Sequence, residues 1–211
     1  MRLLTLDVAK QHVGAQGAGD DSKIDEIIER WSAIVESYLD RRLIIPATDY
    51  IEFHPQRIDQ YIGSELQLLD WPVYSITTIH EDAQQVYGAP SLLVAGTDYR
   101  VHSSDDEARV VRLSGGSPTA WDSTYRSVRV AYKGGYASAG AVPEDIQDVV
   151  LRGIGLSYAE VVNKLHGVSS KADASGNLTR FFHARLTDDM KRELRKYRNE
   201  LYAMPTGTRA A

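Results

Sequence analysis

The chain has 211 residues, of which 43% are hydrophobic and 25% charged, and it contains no cysteine. This length fits one domain or two small ones, and the lack of cysteine excludes disulfides and thiolate metal sites. The formal net charge of −5 argues against a protein that grips nucleic acid, because such proteins carry a basic excess. The N-terminus lacks an apolar stretch of signal-peptide length. No segment approaches the roughly 18 apolar residues of a membrane span, so we expect no membrane contact.

Two helices are predicted at the N-terminus. The first covers about Asp7 to Val13, with Thr5 or Leu6 near its cap, and a glycine-rich loop follows. In the second helix, apolar residues recur at three- and four-residue spacing: Ile24, Ile27, Ile28, Trp31, Ile34, Val35, Tyr38 and Leu39. This spacing is typical of a helix with one apolar face. We expect that face to pack in a core and Arg41 and Arg42 to close the helix.

The apolar period changes to two after Pro46. Alternating segments rich in β-branched and aromatic residues predict strands at 48–54, 66–70, 73–82, 97–103, 108–113 and 127–133. Several short strands with turn residues between them are typical of an antiparallel sandwich or barrel. The strands at 97–103 and 108–113 would form a hairpin whose tip carries Asp105, Asp106 and Glu107. The segment "GGSPTAWDS" is predicted to be a loop.

A return to helical periodicity follows Gly134-Gly135. Pro143 suits the first position of a helix, and the apolar stripe continues from Ile146 to Leu165. Gly153 and Gly155 lie inside this helix, where each costs about 1 kcal/mol relative to alanine. We expect the close approach of a neighbouring helix to compensate.

The C-terminal part is predicted to contain a polar loop, a helix and a tail. The loop covers residues 166–180, and the helix runs from Asp188 to Leu201 with Thr187 as its cap. Residues 203–211 have no core-forming pattern and should be extended on their own. The fold class is therefore predicted as α+β: a four-helix-type core domain of residues 1–45 and 134–202, an inserted antiparallel β-sandwich or barrel-like region at 46–133, and an extended C-terminal tail at 203–211.

No pattern of catalytic residues stands out in the sequence. None of the histidines lies at metal-ligand spacing with another histidine, and no motif brings a nucleophile, a base and an oxyanion donor together. We therefore predict no catalytic residue, no metal, no cofactor and no enzyme activity. Two alternatives stay open: a metal-dependent hydrolase using His54, His80 and His102 with the acidic turn, and a generic binding module in which the β-sandwich recognises carbohydrate or protein.

The order of the elements carries a resemblance. A short helix, "LTLDVAKQHVG", precedes a long one, "DDSKIDEIIERWSAIVESYLDRRL", and a later strand runs through a glycine–tyrosine step into a helix, "VRVAYKGGYASAGAVPEDIQDVVLRGIGLSYAEV". This layout resembles the head–tail connector (adaptor) proteins of tailed bacteriophages, the ring below the portal. The resemblance implies a structural protein of the virion neck, assembled in the host cytoplasm, that extends the DNA channel and provides the docking site for the next neck or tail-completion protein.

The resemblance also implies partners and contact residues. Family members form homo-oligomeric rings, commonly of twelve copies, around double-stranded DNA that passes without sequence-specific binding. A dozen copies would carry a charge of roughly −60, which repels phosphate. The C-terminal tail would dock on the portal protein through Ala203, Met204, Pro205, Thr206, Gly207, Thr208 and Arg209. Candidate subunit-interface residues are Trp31, Tyr38, Tyr158, Tyr197 and Arg195. The candidate partner-contacting loop is Asp105, Asp106 and Glu107.

Overall fold

The computed structural model describes residues 2–55, 63–105, 107–162, 170–172, 178–180 and 185–198. The chain divides into two compact units: a helical unit of residues 1–40 with 138–211, and a β unit of residues 41–137. The described structure contains helices and antiparallel sheets, which confirms the α+β class. None of the described helices is both long enough and apolar enough to span a membrane.

The helical unit combines the two ends of the chain. Its helices are α1 (Leu6–Val13), α2 (Asp21–Leu39), α3 (Glu144–Val162) and α4 (Asp188–Leu194). Helix α1 begins after Thr5, as predicted, and Thr187 caps α4 by accepting a hydrogen bond from the Met190 N–H. Helix α2 ends at Leu39 because Asp40 adopts the left-handed conformation, with φ 53°.

The core of the helical unit lies between α2 and α3. The apolar face predicted for α2 is confirmed, except that Ile34 and Tyr38 are only half-buried. The fully or almost fully buried residues are Ile24, Ile27, Ile28, Trp31, Val35 and Leu39 of α2 and Ile146, Val149, Val150 and Ile154 of α3. Burying each such side chain contributes about 1.5–3 kcal/mol, so this contact dominates the stability of the unit.

The β unit contains two antiparallel sheets. The first has the strand order β1 (Tyr50–His54), β7 (Val128–Gly134) and β3 (Val73–Glu81). The second has the order β2 (Glu65–Gln67), β5 (Ala108–Ser114) and β4 (Tyr99–Ser103), and β6 (Ser117–Pro118) pairs with β5. Residues of both sheets share one core, which includes Leu66, Val110, Val130, Tyr132 and Trp121. The predicted β4–β5 hairpin is present.

The β unit begins earlier and ends later in the chain than the sequence predicts. The prediction places residues 41–45 and 134–137 in the helical domain, but both segments belong to the β unit. The Ile45 N–H donates to the Tyr136 carbonyl at 3.2 Å, and the Tyr136 N–H donates to the Leu43 carbonyl at 2.6 Å. Gly135 permits this pairing, because its φ is 115° and a Cβ there would lie 2.8 Å from the Leu43 oxygen. These hydrogen bonds tie the entering and leaving segments into the β unit.

Arg41 and Arg42 are likewise part of the β unit rather than the end of α2. The Arg41 guanidinium lies 4.0 Å from the centre of the Trp71 ring, and that of Arg42 lies 4.3 Å from the centre of the Tyr50 ring. Arg41 Nη1 also donates to the Trp71 carbonyl at 2.9 Å. The basic pair therefore stacks on aromatic rings instead of closing the helix.

The C-terminal segments also differ from the sequence prediction. The predicted loop at 166–180 contains a two-stranded hairpin of β8 (Ser170–Ala172) and β9 (Leu178–Arg180), and the predicted loop after β5 contains β6. Helix α4 ends at Leu194 and continues as a 3-10 turn over Arg195–Tyr197. The remainder of the predicted last helix, from residue 199, and the tail at 203–211 lie outside the described residues.

Candidate functional site

The first sheet presents one face to the core and the opposite face outward. Along β1, Glu52 and His54 are buried on the core side, so Phe53 projects from the outer side because side chains alternate along a strand. Phe53 is opposite Arg129 of β7, and Arg129 is opposite His80 of β3. These three residues form a row across the outer side of the sheet.

Aromatic rings and guanidinium groups stack on this row. The Phe53 and Tyr87 ring centres are 5.7 Å apart, and the Arg126 guanidinium lies 4.1 Å from the Phe53 centre. Tyr87 also approaches His80, at 6.4 Å between ring centres, and the Arg129 guanidinium lies 5.8 Å from the Tyr87 centre. Each such cation–π contact contributes about 0.5–1 kcal/mol at an exposed position. We call these five residues, Phe53, His80, Tyr87, Arg126 and Arg129, the arginine–aromatic face.

A structured turn holds Tyr87 in place. The Asp82 carboxylate accepts hydrogen bonds from the backbone N–H groups of Gln84, Val86 and Tyr87, at 2.8, 3.0 and 2.9 Å. These bonds, with that of Gln84 the largest contribution, lower the pKa of Asp82. The Gln85 side chain donates to the Tyr125 carbonyl at 2.9 Å, and the Tyr87 hydroxyl donates to the Arg126 carbonyl at 2.5 Å. The turn is therefore fixed to the loop that carries Arg126.

Exposed apolar side chains surround the arginine–aromatic face. A groove of about 260 Å³ lies beside it, lined by Tyr50, Ile51, Glu52, Phe53, Tyr125 and Arg126. Ile51 is 43% exposed, Tyr125 is 38% exposed and Val86, at the tip of the Asp82 turn, is 77% exposed. Tyrosine, phenylalanine and arginine are enriched in protein interfaces and among the residues that dominate their affinity. This surface has the composition of a protein-binding site.

A buried polar network supports the sheet from the core side. The Tyr132 hydroxyl donates to Glu52 Oε1 and accepts from the Asp70 N–H at 2.9 Å. Glu52 Oε1 also accepts the Leu69 N–H at 3.0 Å, and Glu52 Oε2 lies 3.0 Å from His54 Nε2. The network joins β1 and β7 to the segment between β2 and β3, so it fixes the position of β1 and of Phe53 on its other side.

Burial shifts two pKa values in this network. Burial raises the pKa of Asp70 to about 6, the nearby Glu52 charge acts in the same direction, and the hydrogen bond from the Arg42 N–H opposes both. Burial also raises the pKa of Tyr132, again assisted by Glu52. The phenol therefore stays protonated and serves as a hydrogen-bond donor. These groups face a packed core, so the network stabilises structure and offers no access to a substrate.

The predicted subunit-interface residues differ in how deeply the structure buries them. Trp31 is fully buried and its Nε1–H donates to Ser157 Oγ at 2.9 Å, and Tyr197 is also buried, so both have packing roles within the helical unit. Tyr38 and Tyr158 are half-buried and Arg195 is exposed. Of the five candidate residues, these last three have side-chain surface that a second copy could contact.

The tip of the β4–β5 hairpin is exposed. Asp105 is exposed, and Glu107 Oε2 lies 2.5 Å from Arg109 Nη2. Asp106 and the whole candidate portal-docking segment, Ala203 to Arg209, lie outside the described residues.

The three strand histidines do not form a common site. His54 is buried on the core side of β1, while His80 lies in the outer row and its Nδ1 is 3.2 Å from Ser91 Oγ. His102 lies in β4, in the second sheet. Across the part of the chain that the structure describes, no three histidine or carboxylate side chains are grouped as a metal ion would need.

A second groove lies on the helical unit, between α3 and α4. It has a volume of about 720 Å³ and is lined by Glu144, Asp145, Gln147, Asp148, Leu151, Arg192, Glu193 and Lys196. Lys196 Nζ lies 2.5 Å from Asp145 Oδ2, and Arg152 pairs with both Asp148 and Glu193. Small-molecule sites are mostly apolar with a few polar groups, so this open, charged groove is better explained by ion pairs that fasten α4 to α3.

Comparisons with known proteins give matches at the level of structure. No protein-family model matches the chain, and no curated protein matches its sequence. A chain in the neck of an empty gene transfer agent particle, computed with C6 symmetry, superposes with a TM-score of 0.57 at 17% identity, covering 93% of this chain and 89% of that one. A chain in the neck of the native particle, computed with C12 symmetry, gives 0.56 at 16% identity, covering 93% and 88%.

This chain has the fold of a protein in the neck of gene transfer agent particles. A structure of the whole native virion gives a third match, with a TM-score of 0.56, 16% identity and coverage of 93% and 89%. The similarity spans nearly the whole chain and therefore includes both units. The similarity is one of fold.

Proposed function

We propose that this chain is a structural subunit of the neck of a tailed phage or phage-like particle. In this role it is a head–tail connector (adaptor) that forms a ring under the portal, extends the DNA channel and provides a docking site for the next neck or tail-completion protein. The observation that carries the proposal is the fold shared with neck chains over 93% of the sequence. The protein acts by assembly and not by catalysis.

The symmetry of the similar structures supports a ring. Their neck reconstructions were computed with C6 and C12 symmetry, and a cyclic arrangement needs a head-to-tail interface that closes on itself. The net charge of −5 per chain also suits a channel, because a basic lumen would retain DNA instead of letting it pass.

Each part of the chain has a proposed role in the ring. The helical units would pack side by side, with Tyr38, Tyr158 and Arg195 as contact residues. The tail at 203–211 would dock on the portal. The hairpin tip with Asp105 and Glu107 would contact a neighbouring protein.

Electron cryomicroscopy of the particle that contains this chain tests the proposal. We expect density for about a dozen copies encircling the path by which the genome leaves the capsid. Finding the chain elsewhere in the particle, or not in it, would falsify the proposal. A second experiment tests the tail: a variant ending after Leu201 should lose binding to the portal protein in a pull-down. If the shortened chain still binds, the tail assignment is wrong even where the ring is correct.

A further inference from the structure

The β unit carries two exposed features of opposite charge. The arginine–aromatic face presents Arg126 and Arg129, and Lys133 follows on the same side of β7. Neither arginine forms an ion pair with another described residue. The β4–β5 tip presents Asp105 and Glu107. A basic surface rich in aromatic rings and an acidic projection are complementary in the way that interface partners are.

These two features cannot meet within one chain. The Val73 N–H donates to Ser103 Oγ at 2.6 Å, so the β4–β5 tip lies at the start of β3. The arginine–aromatic face lies at the other end of β3, beside His80. A strand rises about 3.3 Å per residue, so the two ends of the nine-residue β3 are roughly 26 Å apart. Glu107 pairs with Arg109 of its own chain, but the arginine–aromatic face lies beyond the reach of the tip and meets it only in a contact between copies.

We propose that the arginine–aromatic face binds the acidic β4–β5 hairpin of the adjacent copy, an inference that rests on the proposed ring. Two different surfaces of the same unit are then joined head to tail, which is the kind of contact that a closed ring repeats. The carboxylates of Asp105 and Glu107 form charge-assisted hydrogen bonds with Arg126 and Arg129, and such bonds are stronger than those between neutral groups.

The apolar surroundings add to this contact. Ile51, Val86 and Tyr125 form an exposed rim that a neighbouring hairpin covers. The bonds of Asp82 to the turn backbone hold Val86 and Tyr87 in place before binding. A surface that is already ordered loses less conformational entropy when it binds, so the turn favours the assembly of copies that are only weakly attracted to each other.

Charge reversal in the full-length chain tests this contact. The first variant carries Arg126→Glu and Arg129→Glu, the second carries Asp105→Lys and Glu107→Lys, and the third combines all four substitutions. Sedimentation velocity measures self-association at chain concentrations up to about 1 mM. We expect the wild type to associate and the first and second variants to associate at least about tenfold more weakly. The combined variant should recover most of the lost affinity for self-association. The combined variant has the wild-type net charge and serves as the matched control.

Further measurements separate a lost contact from a lost fold. Circular dichroism and urea unfolding should show each variant folded, and an Arg126→Gln, Arg129→Gln variant should weaken association without reversing charge. A wild type that stays monomeric throughout, single-sided variants that associate as the wild type does, or a combined variant with no recovery overturns the inference. If the variants associate normally while imaging still shows a ring around the genome exit, only this contact is wrong and the proposed function stands.

Discussion

At residue 153 the absence of a side chain lets two helices touch. A Cβ at this position would lie well inside van der Waals contact with the indole carbons of Trp31. The close approach also brings Ser157, one turn along α3, within 2.9 Å of the indole N–H. The close helix contact predicted from the two glycines is confirmed for Gly153, which lies against α2. Gly155 lies instead near His12 of α1.

The substitution Gly153→Ala should destabilise the helical unit. Alanine improves helix propensity by about 1 kcal/mol, but the methyl group must displace a fully buried indole, and overpacking costs about 1–3 kcal/mol. Gly155→Ala is the matched control, because its Cβ would meet only the His12 ring, at 3.3 Å. We expect urea unfolding to show Gly153→Ala as the less stable of the two variants. Equal or higher stability of Gly153→Ala would show that Trp31 can move aside.

Asp70 should make the stability of the β unit depend on pH. It is 3% exposed, and burial raises its pKa to about 6, with Glu52 assisting and Arg42 and Arg41 opposing. Because the folded pKa lies above the ordinary aspartate value of 3.8, the folded chain holds this proton more tightly. The resulting stabilisation is complete below pH about 4 and is lost as pH rises through about 6.

The variant Asp70→Asn removes this titration and keeps an oxygen for the Arg42 N–H, which now donates to Asp70 Oδ1 at 2.8 Å. We compare the free energy of unfolding of the variant, minus that of the wild type, at two pH values. This difference should be more favourable to the variant at pH 8 than at pH 4, by up to about 3 kcal/mol. Denaturant unfolding of both proteins at the two pH values measures the difference. A difference that does not change with pH would mean that Asp70 titrates normally.

Residue patterns predicted some of these roles and missed others. The helical spacing indicated that Trp31 would be buried, and its assignment as a subunit contact ignored that the same spacing uses it in the core. The network of Glu52, Tyr132 and Asp70 joins segments far apart in sequence, so no local pattern marks it. Glu52 in particular lies in a strand of alternating residues, and the sequence does not indicate whether its side chain faces water or the core.

Among the elements, the turn from Asp82 to Tyr87 shows how local chemistry prepares a surface. One carboxylate accepts three backbone N–H groups, and Gln85 and Tyr87 have positive φ values of 61° and 51°. Asparagine and aspartate side chains commonly stabilise such turns by bonding to the backbone that follows. The turn in this way carries Tyr87 across to Phe53.

The substitution Asp82→Ala should loosen this turn while the sheets stay folded. Hydrogen exchange at the amides of Gln84, Val86 and Tyr87 should become faster, because the carboxylate that accepts their hydrogen bonds is lost. Asp98→Ala is the control: Asp98 accepts the Val94 N–H at 2.8 Å in a separate turn, so its loss should leave residues 84–87 protected. Unchanged exchange in Asp82→Ala would show that the Tyr87 and Gln85 side-chain bonds hold the turn alone.

The sequence predicted best those strands in which apolar and polar residues alternate over several residues. The strands of five or more residues, β1, β3, β4, β5 and β7, were predicted, and the three-residue β2 lies at the start of the predicted strand 66–70. By contrast, β6 has two residues, β8 and β9 have three each, and none of these three strands was predicted. The arginine–aromatic face was not predicted, because it depends on the register that aligns Phe53, Arg129 and His80 and on a turn outside any strand. A single sequence gives no signal for that register.

The whole chain is organised as a β unit inserted between the two parts of a helical unit. The change of apolar period near Pro46 and the return near Gly134 revealed this order, but not its limits. The limits are set by hydrogen bonds between the entering and leaving segments, such as those of Ile45 and Leu43 with Tyr136. Long-range pairing of this kind follows from tertiary structure and has no local signature.

A fragment of residues 41–137 should therefore fold on its own, and a fragment of residues 46–133 should be clearly less stable. The longer fragment contains the complete core around Val130, Tyr132 and Trp121. The shorter one loses the pairing of Leu43 and Ile45 with Tyr136, the stacking of Arg41 on Trp71, and the Arg42 N–H that satisfies Asp70. Loss of the hydrogen bond to a buried carboxylate alone costs about 1–3 kcal/mol.

Thermal unfolding followed by near-ultraviolet circular dichroism distinguishes the two fragments, since Trp71 and Trp121 are both buried in the β unit. We expect a cooperative transition for residues 41–137 and a lower or absent transition for residues 46–133. Residues 41–137 with Gly135→Ala form the matched control, because a Cβ would press on the Leu43 oxygen and disturb the same pairing at full length. If the shorter fragment were as stable as the longer one, the paired end segments would contribute nothing to the β unit, and the boundary would lie where the apolar period changes.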